Sequence, residues 1–245
     1  MPIPVILDCD PGHDDAFTIL LAAAHPAVDL LAITTVAGNQ TLEKTTLHAR
    51  RVCSVAGISG VPIAAGRARP LHGPPRTAED IHGESGLDGP GFGSGEPAVP
   101  EDPRGALALV RDTLLAHPVP VTLVPTGPLT NIAVLLLAHP ELTSRIDRIV
   151  LMGGSTDRGN TTPAAEFNIL CDPEAADIVL RGGVPVTMFG PEDRVRNRGH
   201  DRGRSPRRIN PRDRVPAASR TECPRRRPGR PRAAGPSGTG RSPRG

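Results

Sequence analysis

The sequence lacks any apolar run of the roughly 18 residues that a membrane-spanning helix requires, and it does not open with a secretory signal segment. These absences predict a soluble, cytoplasmic protein with no membrane partner. Cysteine is also scarce, and the four residues Cys9, Cys53, Cys171 and Cys223 lie far apart without Cys-x-x-Cys spacing. This pattern argues against a zinc site and a disulfide framework and predicts reduced thiols.

Lysine is nearly absent, and arginine is concentrated at one end of the chain. Residues 190–245 hold 17 Arg and no Lys against 5 acidic residues, whereas residues 1–189 hold 12 basic and 21 acidic residues. The last segment also contains 9 Pro and 8 Gly but no Leu, Phe or Met. So little apolar surface cannot offset the entropy of ordering. We expect residues 1–189 to form the folded domain and residues 190–245 a disordered tail.

An arginine-rich tail of this kind is one means of binding nucleic acid or another acidic surface. Here no aromatic residue lies among the arginines to stack on bases, and the prolines follow no repeat. The abrupt change near residue 190 is instead typical of out-of-frame translation of a GC-rich gene, in which Pro, Arg, Gly, Ala and Ser codons dominate. We favour this interpretation and expect no nucleic-acid partner.

Short aliphatic runs alternate with longer amphipathic segments over residues 1–189. The runs predict buried strands at Ile3–Leu7, Leu30–Thr35, Val61–Ala64, Val121–Val124, Ile149–Met152 and Val184–Phe189. The segments between them predict helices at Asp14–Ala24, Leu42–Ala56, Gly105–Ala116, Leu129–Ala138 and Pro173–Leu180, the last of which begins at the N-cap Asp172. This alternation predicts an α/β fold with a mostly parallel sheet covered on both faces. The Gly- and Pro-rich connection 66–102 indicates a functional flap or a disordered segment.

Four carboxylates, Asp8, Asp10, Asp14 and Asp15, lie within eight residues at the end of the first predicted strand. Such a cluster is repulsive unless a cation or bound protons intervene, and hard oxygen ligands suit Ca²⁺ or Mg²⁺. Helix capping by Asp14 and dipole compensation by Asp15 would explain only the second pair. Because ligands of parallel sheets bind at the carboxyl ends of strands, we favour a metal site here.

An Asp-x-Asp motif after a first strand also occurs in the haloacid-dehalogenase-like phosphatases, where the first Asp is the nucleophile. That family has a small or hydroxyl residue two positions beyond the second Asp, and a later Lys. Here Gly12-His13-Asp14-Asp15 follows, and the only lysine is Lys44. The phosphatase interpretation is therefore the weaker one.

Six ordered motifs resemble those of the nucleoside hydrolases, the inosine–uridine preferring N-ribohydrolases. They are residues 8–16 (Asp-Cys-Asp-Pro-Gly-His-Asp-Asp-Ala), 34–39, 81–86, 124–131, 151–154, and 166–168 followed by 172–176. The resemblance implies a Rossmann-like open sheet with flanking helices, incomplete at the C-terminus because no match extends past Gly190. It also implies an enzyme that hydrolyses the N-glycosidic bond of ribonucleosides to free base and ribose.

The same resemblance implies a role for each site residue. Asp10, Asp15 and the main-chain carbonyl of Thr126 would hold a Ca²⁺ ion, and Asp10 would be the general base that takes the proton of the attacking water. Asp8 would be a supporting carboxylate behind them. The ribose-contacting positions fall on Asp14, Asn39, Asn160, Glu166 and Asn168, with Met152 beneath the ribose and His82 near the nucleobase.

Taken singly, several of these residues have plainer explanations. Asn39 and Asn160 would be turn residues beside glycines, Met152 a core residue, and His82 a solvated loop side chain. The surrounding matches favour the ribose contacts for the asparagines, whereas for His82 both alternatives stay open. Glu166 and Asn168 are two apart, which predicts one shared face of an extended segment.

The chain departs from the family in one respect. Nucleoside hydrolases carry a downstream His-Asp pair, in which the Asp completes the calcium shell and the His serves the leaving base. His200-Asp201 comes too soon after Asn168 and lies among arginines and glycines with no apolar neighbours to position it. We therefore expect weak calcium binding, uncovered apolar surface and much reduced activity.

Two other functions are weighed against the hydrolase. One is a non-catalytic metal- or nucleoside-binding remnant, and the other is a nucleic-acid-associated protein acting through the tail. The expected partner is a small-molecule ribonucleoside of unassigned base, and family members are usually homo-oligomers.

Overall fold

Seven strands form one sheet in the computed structural model, which describes residues 1–83, 85–87, 95–191 and 208–209. The strands are β1 (Ile3–Cys9), β2 (Val28–Thr35), β3 (Ile63–Ala65), β4 (Val121–Pro125), β5 (Ile146–Met152), β6 (Val186–Phe189) and β7 (Arg208–Ile209). Their order is β3-β2-β1-β4-β5-β6-β7, and only β7 runs antiparallel to its neighbour. The mostly parallel open sheet predicted from the sequence is confirmed.

The helices that connect these strands are α1 (His13–Ala24), α2 (Leu42–Val55), α3 (Glu79–His82), α4 (Gly105–Ala116), α5 (Thr130–Ala138), α6 (Phe167–Cys171) and α7 (Pro173–Arg181), with a 3₁₀ helix at Pro140–Arg145. The five predicted helices correspond to α1, α2, α4, α5 and α7. The short elements α3, α6, β7 and the 3₁₀ helix were not predicted. Each has too few residues to show a hydrophobic periodicity in the sequence.

Hydrophobic clusters lie on both faces of the sheet. Ile6 and Leu7, neighbours on β1, are each 1% exposed and belong to different clusters, because successive strand residues point to opposite faces. The cluster around Ile6 packs beneath α4, α5 and α7, and the one around Leu7 packs beneath α1 and α2. Helices therefore cover both faces, as predicted.

The long connection between β3 and α4 is tied to the domain at several points. Leu71 N donates to Oδ2 of Asp172 at 2.8 Å, and Ala78 N donates to Asn39 O at 3.1 Å. Further along, Val99 N donates to the hydroxyl of Ser54 at 3.0 Å. The described parts of this connection are thus held over the carboxyl ends of the strands and against α2.

Some predictions fall outside the described residues, namely those on Cys223, on the His200-Asp201 pair and on nearly all of segment 190–245. The three described cysteines, Cys9, Cys53 and Cys171, are free and buried. None of the described helices is both long and apolar enough to cross a membrane.

Candidate active site

The carboxyl ends of β1, β2 and β4 lie side by side at the point where the strand order reverses. The chain adds β2 and β3 on one side of β1 and then β4, β5 and β6 on the other. Asp8 on β1 lies in register with Thr34 on β2 and with Pro125 on β4. The residues that follow these three positions therefore converge, and in parallel α/β sheets this is where ligands bind.

Asp10 lies at the centre of this convergence and is 1% exposed. Its Oδ2 accepts the main-chain N–H of Asn39 at 2.7 Å, and its carbonyl accepts from Nδ2 of Asn39 at 3.0 Å. Two glycines enclose the carboxyl group: a Cβ at Gly38 would overlap Oδ2, and one at Gly127 would come within 2.6 Å of Oδ1. The side chain is therefore confined to one place.

Asp15 approaches Asp10 from the first turn of α1, for which Gly12 rather than Asp14 is the N-cap. Its Oδ2 accepts the main-chain N–H of Asp10 at 3.0 Å, its side chain bonds the Thr126 hydroxyl, and the Asp10 and Asp15 carboxyl groups hydrogen-bond to each other. Burial, with the Asp14 charge adding to it, raises the pKa of Asp15 to about 6. Burial and the Asp15 charge raise the pKa of Asp10 well above its usual range.

Asp8 lies beneath this pair and is fully buried. Its Oδ1 accepts from the Thr34 hydroxyl at 2.6 Å and from Nδ2 of Asn131 at 2.7 Å, while Oδ2 has no hydrogen-bond partner among the described residues. Burial outweighs these two donors and raises the pKa of Asp8 to about 7. The role of Asp8 as a supporting carboxylate, which the resemblance implies, stays a prediction.

The opposite wall of the site is built by the start of α6. Asn168 donates from Nδ2 to the carbonyl of Thr126 at 2.8 Å and to that of Met152 at 3.1 Å. Oε2 of Glu166, a buried residue, accepts from Gly154 N at 3.0 Å and from Ile169 N at 3.2 Å. Thr126, Met152 and Asn168 are thus brought together, and Thr126 joins this wall to Asp15.

The prediction that Glu166 and Asn168 share a face of an extended segment is wrong. Glu166 has extended backbone, but it caps α6, and Asn168 lies in that helix. The Glu166 side chain satisfies a free N–H of the first helical turn, which favours helix over strand from this point.

The three remaining predicted residues are Asn160, Asp14 and His82. Asn160 is exposed, and its Oδ1 accepts from Phe167 N at 2.9 Å within its own loop. Asp14 is exposed at the start of α1, within electrostatic range of Asp10 and Asp15. His82 ends α3, and its side chain is not among those that the structure describes.

Sequence reasoning did not single out Asn131 or Thr34, which hold the carboxylate of Asp8. Both lie inside motifs noted above, and membership of those motifs was the available signal. Two surface pockets of about 200 and 420 Å³ are lined by other residues, and only the smaller one touches this network, through Asn131.

The residues present fit a hard divalent cation. No group of three or more His, Cys, Asp or Glu side chains among the described residues is arranged to hold a metal. The ligands that the resemblance implies are not such a group, because they are two carboxylates and the main-chain carbonyl of Thr126. Asp10 and Asp15 are buried against each other, and no described Lys, Arg or His forms an ion pair with either. Oxygen donors of this kind suit Ca²⁺ or Mg²⁺.

Comparison with known proteins agrees with these features. A model of the inosine-uridine preferring nucleoside hydrolase family matches residues 5–205. The match therefore extends past Gly190, where the six motifs predicted that it would end. A pyrimidine-specific ribonucleoside hydrolase, RihA, of Photobacterium profundum is 55% identical over 190 residues, covering 78% of this chain and 61% of that protein. The chain thus spans about three fifths of the length of this relative.

Solved structures show the same similarity. A purine-preferring ribonucleoside hydrolase from Gardnerella vaginalis is 34% identical with a TM-score of 0.70, over 76% of this chain and 60% of that one. An inosine-guanosine nucleoside hydrolase is 31% identical with a TM-score of 0.72, over 80% and 62%. Because the family model matches more than half of the chain, the chain belongs to the inosine-uridine preferring nucleoside hydrolase family.

Proposed function

We propose that the protein hydrolyses the N-glycosidic bond of ribonucleosides to free base and ribose. The observation that carries this proposal is the pair of buried, mutually hydrogen-bonded carboxyl groups of Asp10 and Asp15 at the strand ends, beside Thr126. This reaction is slow for two reasons: positive charge develops on the sugar in the transition state, and the base is a poor leaving group. Carboxylates that activate water and hold ribose hydroxyls act on the first of these difficulties.

Asp10, Asp15 and the carbonyl of Thr126 would hold a Ca²⁺ ion. When bound, such an ion lowers the pKa of a coordinated water and neutralises the two carboxylates. In the metal-free protein burial raises the pKa of both carboxyl groups, whereas a cation bound between them would favour their ionised forms. The oxygen-only donor set favours Ca²⁺ over zinc.

Asp10 would take the proton of the attacking water as general base. The hydrogen bond from Asn39 N holds its Oδ2, so that the carboxyl group keeps one orientation as it gains a proton. Glu166 and Asn168 on the opposite wall, with Asp14 and Asn39, would receive the ribose hydroxyls.

The remaining predicted contacts belong to flanking segments. Met152 would pack beneath the sugar, Asn160 would reach it from its exposed loop, and His82 would lie near the base. Because RihA of Photobacterium profundum is named pyrimidine-specific, uridine and cytidine are the first substrates to test.

We further propose that this chain is impaired relative to full-length members of the family. It spans 61% of the relative's length, and its only His-Asp pair downstream of Asn168 lies among arginines at positions 200–201, outside the described residues. A calcium shell without the Asp of the family's pair would be weak, and the leaving base would lack its His. The cytoplasmic location, a role in nucleoside salvage, the homo-oligomer and the absence of a nucleic-acid partner remain predictions.

The test is release of free base from uridine, cytidine and inosine by the full chain. The released base is measured by chromatography, once with Ca²⁺ in the reaction and once after the protein has been treated with EDTA. We expect slow, Ca²⁺-dependent release that Asp10→Asn lowers at least about 100-fold, the lower end for loss of a general base. The matched control is Asp147→Asn, an exposed carboxylate on β5 that pairs with Arg148, and it should leave the rate unchanged.

Other outcomes would favour the alternatives. Binding of uridine in equilibrium dialysis without any release of base would identify a non-catalytic binding remnant. Salt-dependent DNA binding that disappears on deletion of residues 190–245 would favour the nucleic-acid function instead. Absence of both Ca²⁺ binding and nucleoside binding would refute the proposed function.

A further inference from the structure

The side-chain amide of Asn131 joins four adjacent strands of the sheet at their carboxyl ends. Its Nδ2 donates to Oδ1 of Asp8 on β1 at 2.7 Å and to the carbonyl of Thr35 on β2 at 2.9 Å. Its Oδ1 accepts from the main-chain N–H of Arg67, two residues after β3, at 2.9 Å. Asn131 itself lies at the start of α5, which follows β4.

The amide has no freedom to adopt another arrangement. Both of its N–H groups and its carbonyl oxygen are used, which is nearly all that an Asn side chain can offer. Only 9% of the residue is exposed. A Cβ at Gly66 would overlap both Oδ1 and Nδ2, so the neighbouring backbone lies directly against the amide.

The three segments that meet at Asn131 also supply the carboxylate site. Asp8 lies two residues before Asp10, Thr35 lies four residues before Asn39, and Asn131 lies five residues after Thr126. The hydrogen bond from Asn39 N to Oδ2 of Asp10 forms between the first two of these segments. The amide therefore lies behind both partners of that bond.

We propose that Asn131 is a positioning residue, which sets the spacing of Asp10, Asn39 and Thr126 without itself touching the metal ion or the ribose. The metal half of this inference rests on the proposed function. The spacing itself is a property of the metal-free protein and is measurable there.

The informative variant is Asn131→Asp in the full chain. It keeps the size and shape of the side chain but replaces both donated N–H bonds by an oxygen that faces Oδ1 of Asp8 and the carbonyl of Thr35. The matched control is Thr130→Val on the same helix. Thr130 is also buried and donates one hydrogen bond, to Asp172, away from the carboxylate pair.

The first measurement is amide hydrogen exchange in the metal-free protein, followed residue by residue by NMR. We expect Asn131→Asp to speed exchange at the amides of Asn39 and Asp10 at least tenfold more than at the core amides of Leu7 and Leu123. Thr130→Val should show no such local excess. A merely structural role would lower protection at all of these amides alike, and that result would overturn the inference.

The second measurement is calorimetric titration with CaCl₂. We expect the dissociation constant to rise at least tenfold in Asn131→Asp and to stay within twofold in Thr130→Val. Unchanged affinity together with unchanged exchange at Asn39 would overturn the inference while leaving the proposed function intact. If the unsubstituted chain binds no Ca²⁺ and Asn39 still loses protection, the proposed function fails and the positioning role stands.

A double variant covers the case in which Asn131→Asp does not fold. Asp8→Asn combined with Asn131→Asp exchanges donor and acceptor and keeps the net charge of the pair. We expect it to fold and to recover most of the Asn39 protection. Failure of this exchange to restore protection would contradict the role of the Asp8–Asn131 bond.

Discussion

The main-chain N–H of Asn39 donates to Oδ2 of Asp10 at 2.7 Å, across the ends of two neighbouring parallel strands. Gly38, the residue before Asn39, lies so close that any Cβ there would overlap the same oxygen. The turn after β2 therefore both bonds and confines the carboxyl group that we propose as general base.

Gly38→Ala should disturb this arrangement. The added methyl would overlap Oδ2 of Asp10 and come within 2.7 Å of the Pro128 ring, so the carboxyl group must move. We expect Ca²⁺ affinity to fall at least about tenfold, which is about 1.4 kcal/mol, in a calorimetric titration.

Gly95→Ala is the matched control for this substitution. A Cβ at Gly95 meets no atom of the described residues within 4 Å, so the affinity of this variant should equal that of the unsubstituted chain. Equal affinities of the two variants would show that the position of Asp10 does not control metal binding.

The stability of the metal-free protein should fall as the pH rises from 5 to 7.5. The folded-state pKa values of Asp15 and Asp8 are raised to about 6 and about 7, so the folded state holds protons that the unfolded chain has lost. Their contribution is complete below about pH 4 and is lost through pH 6–7, by about 3 kcal/mol for Asp15 alone. His48, whose pKa burial lowers, opposes this trend over part of the range.

Calcium should reverse that trend, because ionised carboxylates bind the ion. Urea unfolding at pH 5 and pH 7.5, with EDTA or with Ca²⁺, measures both effects. A free energy of unfolding that rises with pH in EDTA would contradict the protonated state of the carboxyl pair.

Asp172→Ala should be strongly destabilising. This buried N-cap of α7 accepts hydrogen bonds from Ala175 N at 3.0 Å, the Thr130 hydroxyl at 2.7 Å and Leu71 N at 2.8 Å. Loss of a cap costs about 1 kcal/mol, and two donors left without an acceptor cost about 1 kcal/mol or more each, for a total of about 3 kcal/mol in urea unfolding.

Asp177→Ala on the same helix is the control for that measurement. Asp177 forms an exposed ion pair with Arg181, and such pairs contribute at most about 0.5 kcal/mol. A similar cost for the two variants would mean that the three hydrogen bonds of Asp172 do not stabilise the domain.

Removal of residues 214–245 should leave the thermal unfolding midpoint within about 2 °C of that of the full chain. The cut follows Asp213, where the first compact unit of the chain ends. The deleted segment has almost no aliphatic residues to bury. A larger fall in the midpoint would contradict the prediction that this last part of the chain is a disordered tail.

The DNA sequence around codon 190 provides an independent check of the tail. If a shift of one base restores a frame that encodes Leu-rich helices and a His-Asp pair, the frame-shift interpretation is supported. If neither of the other two reading frames encodes such helices and such a pair, the frame-shift interpretation is wrong.

Much of the fold was predictable, because aliphatic runs and helical periods depend only on local sequence. The N-cap at Asp172 and the alternation of Ile6 and Leu7 between two faces are of this kind. The chemistry of the site was also legible, since Asp10 and Asp15 follow a buried strand within six residues of each other. The error at Asn168 arose because spacing in the sequence does not reveal a helix of five residues.

The sequence alone determined the six parallel strands, the five longer helices, which strand end carries the carboxylates and, through six motifs, the resemblance to the family. Only the tertiary structure decided that Asp10 and Asp15 are buried against each other and that Asn131 bonds Asp8, a residue 123 positions away. The physical reason is that the hydrophobic periodicity of a sequence segment indicates only which face of that helix or strand is buried. The partners across that face depend on how strands β1 to β4 are ordered in the sheet, which no local pattern records.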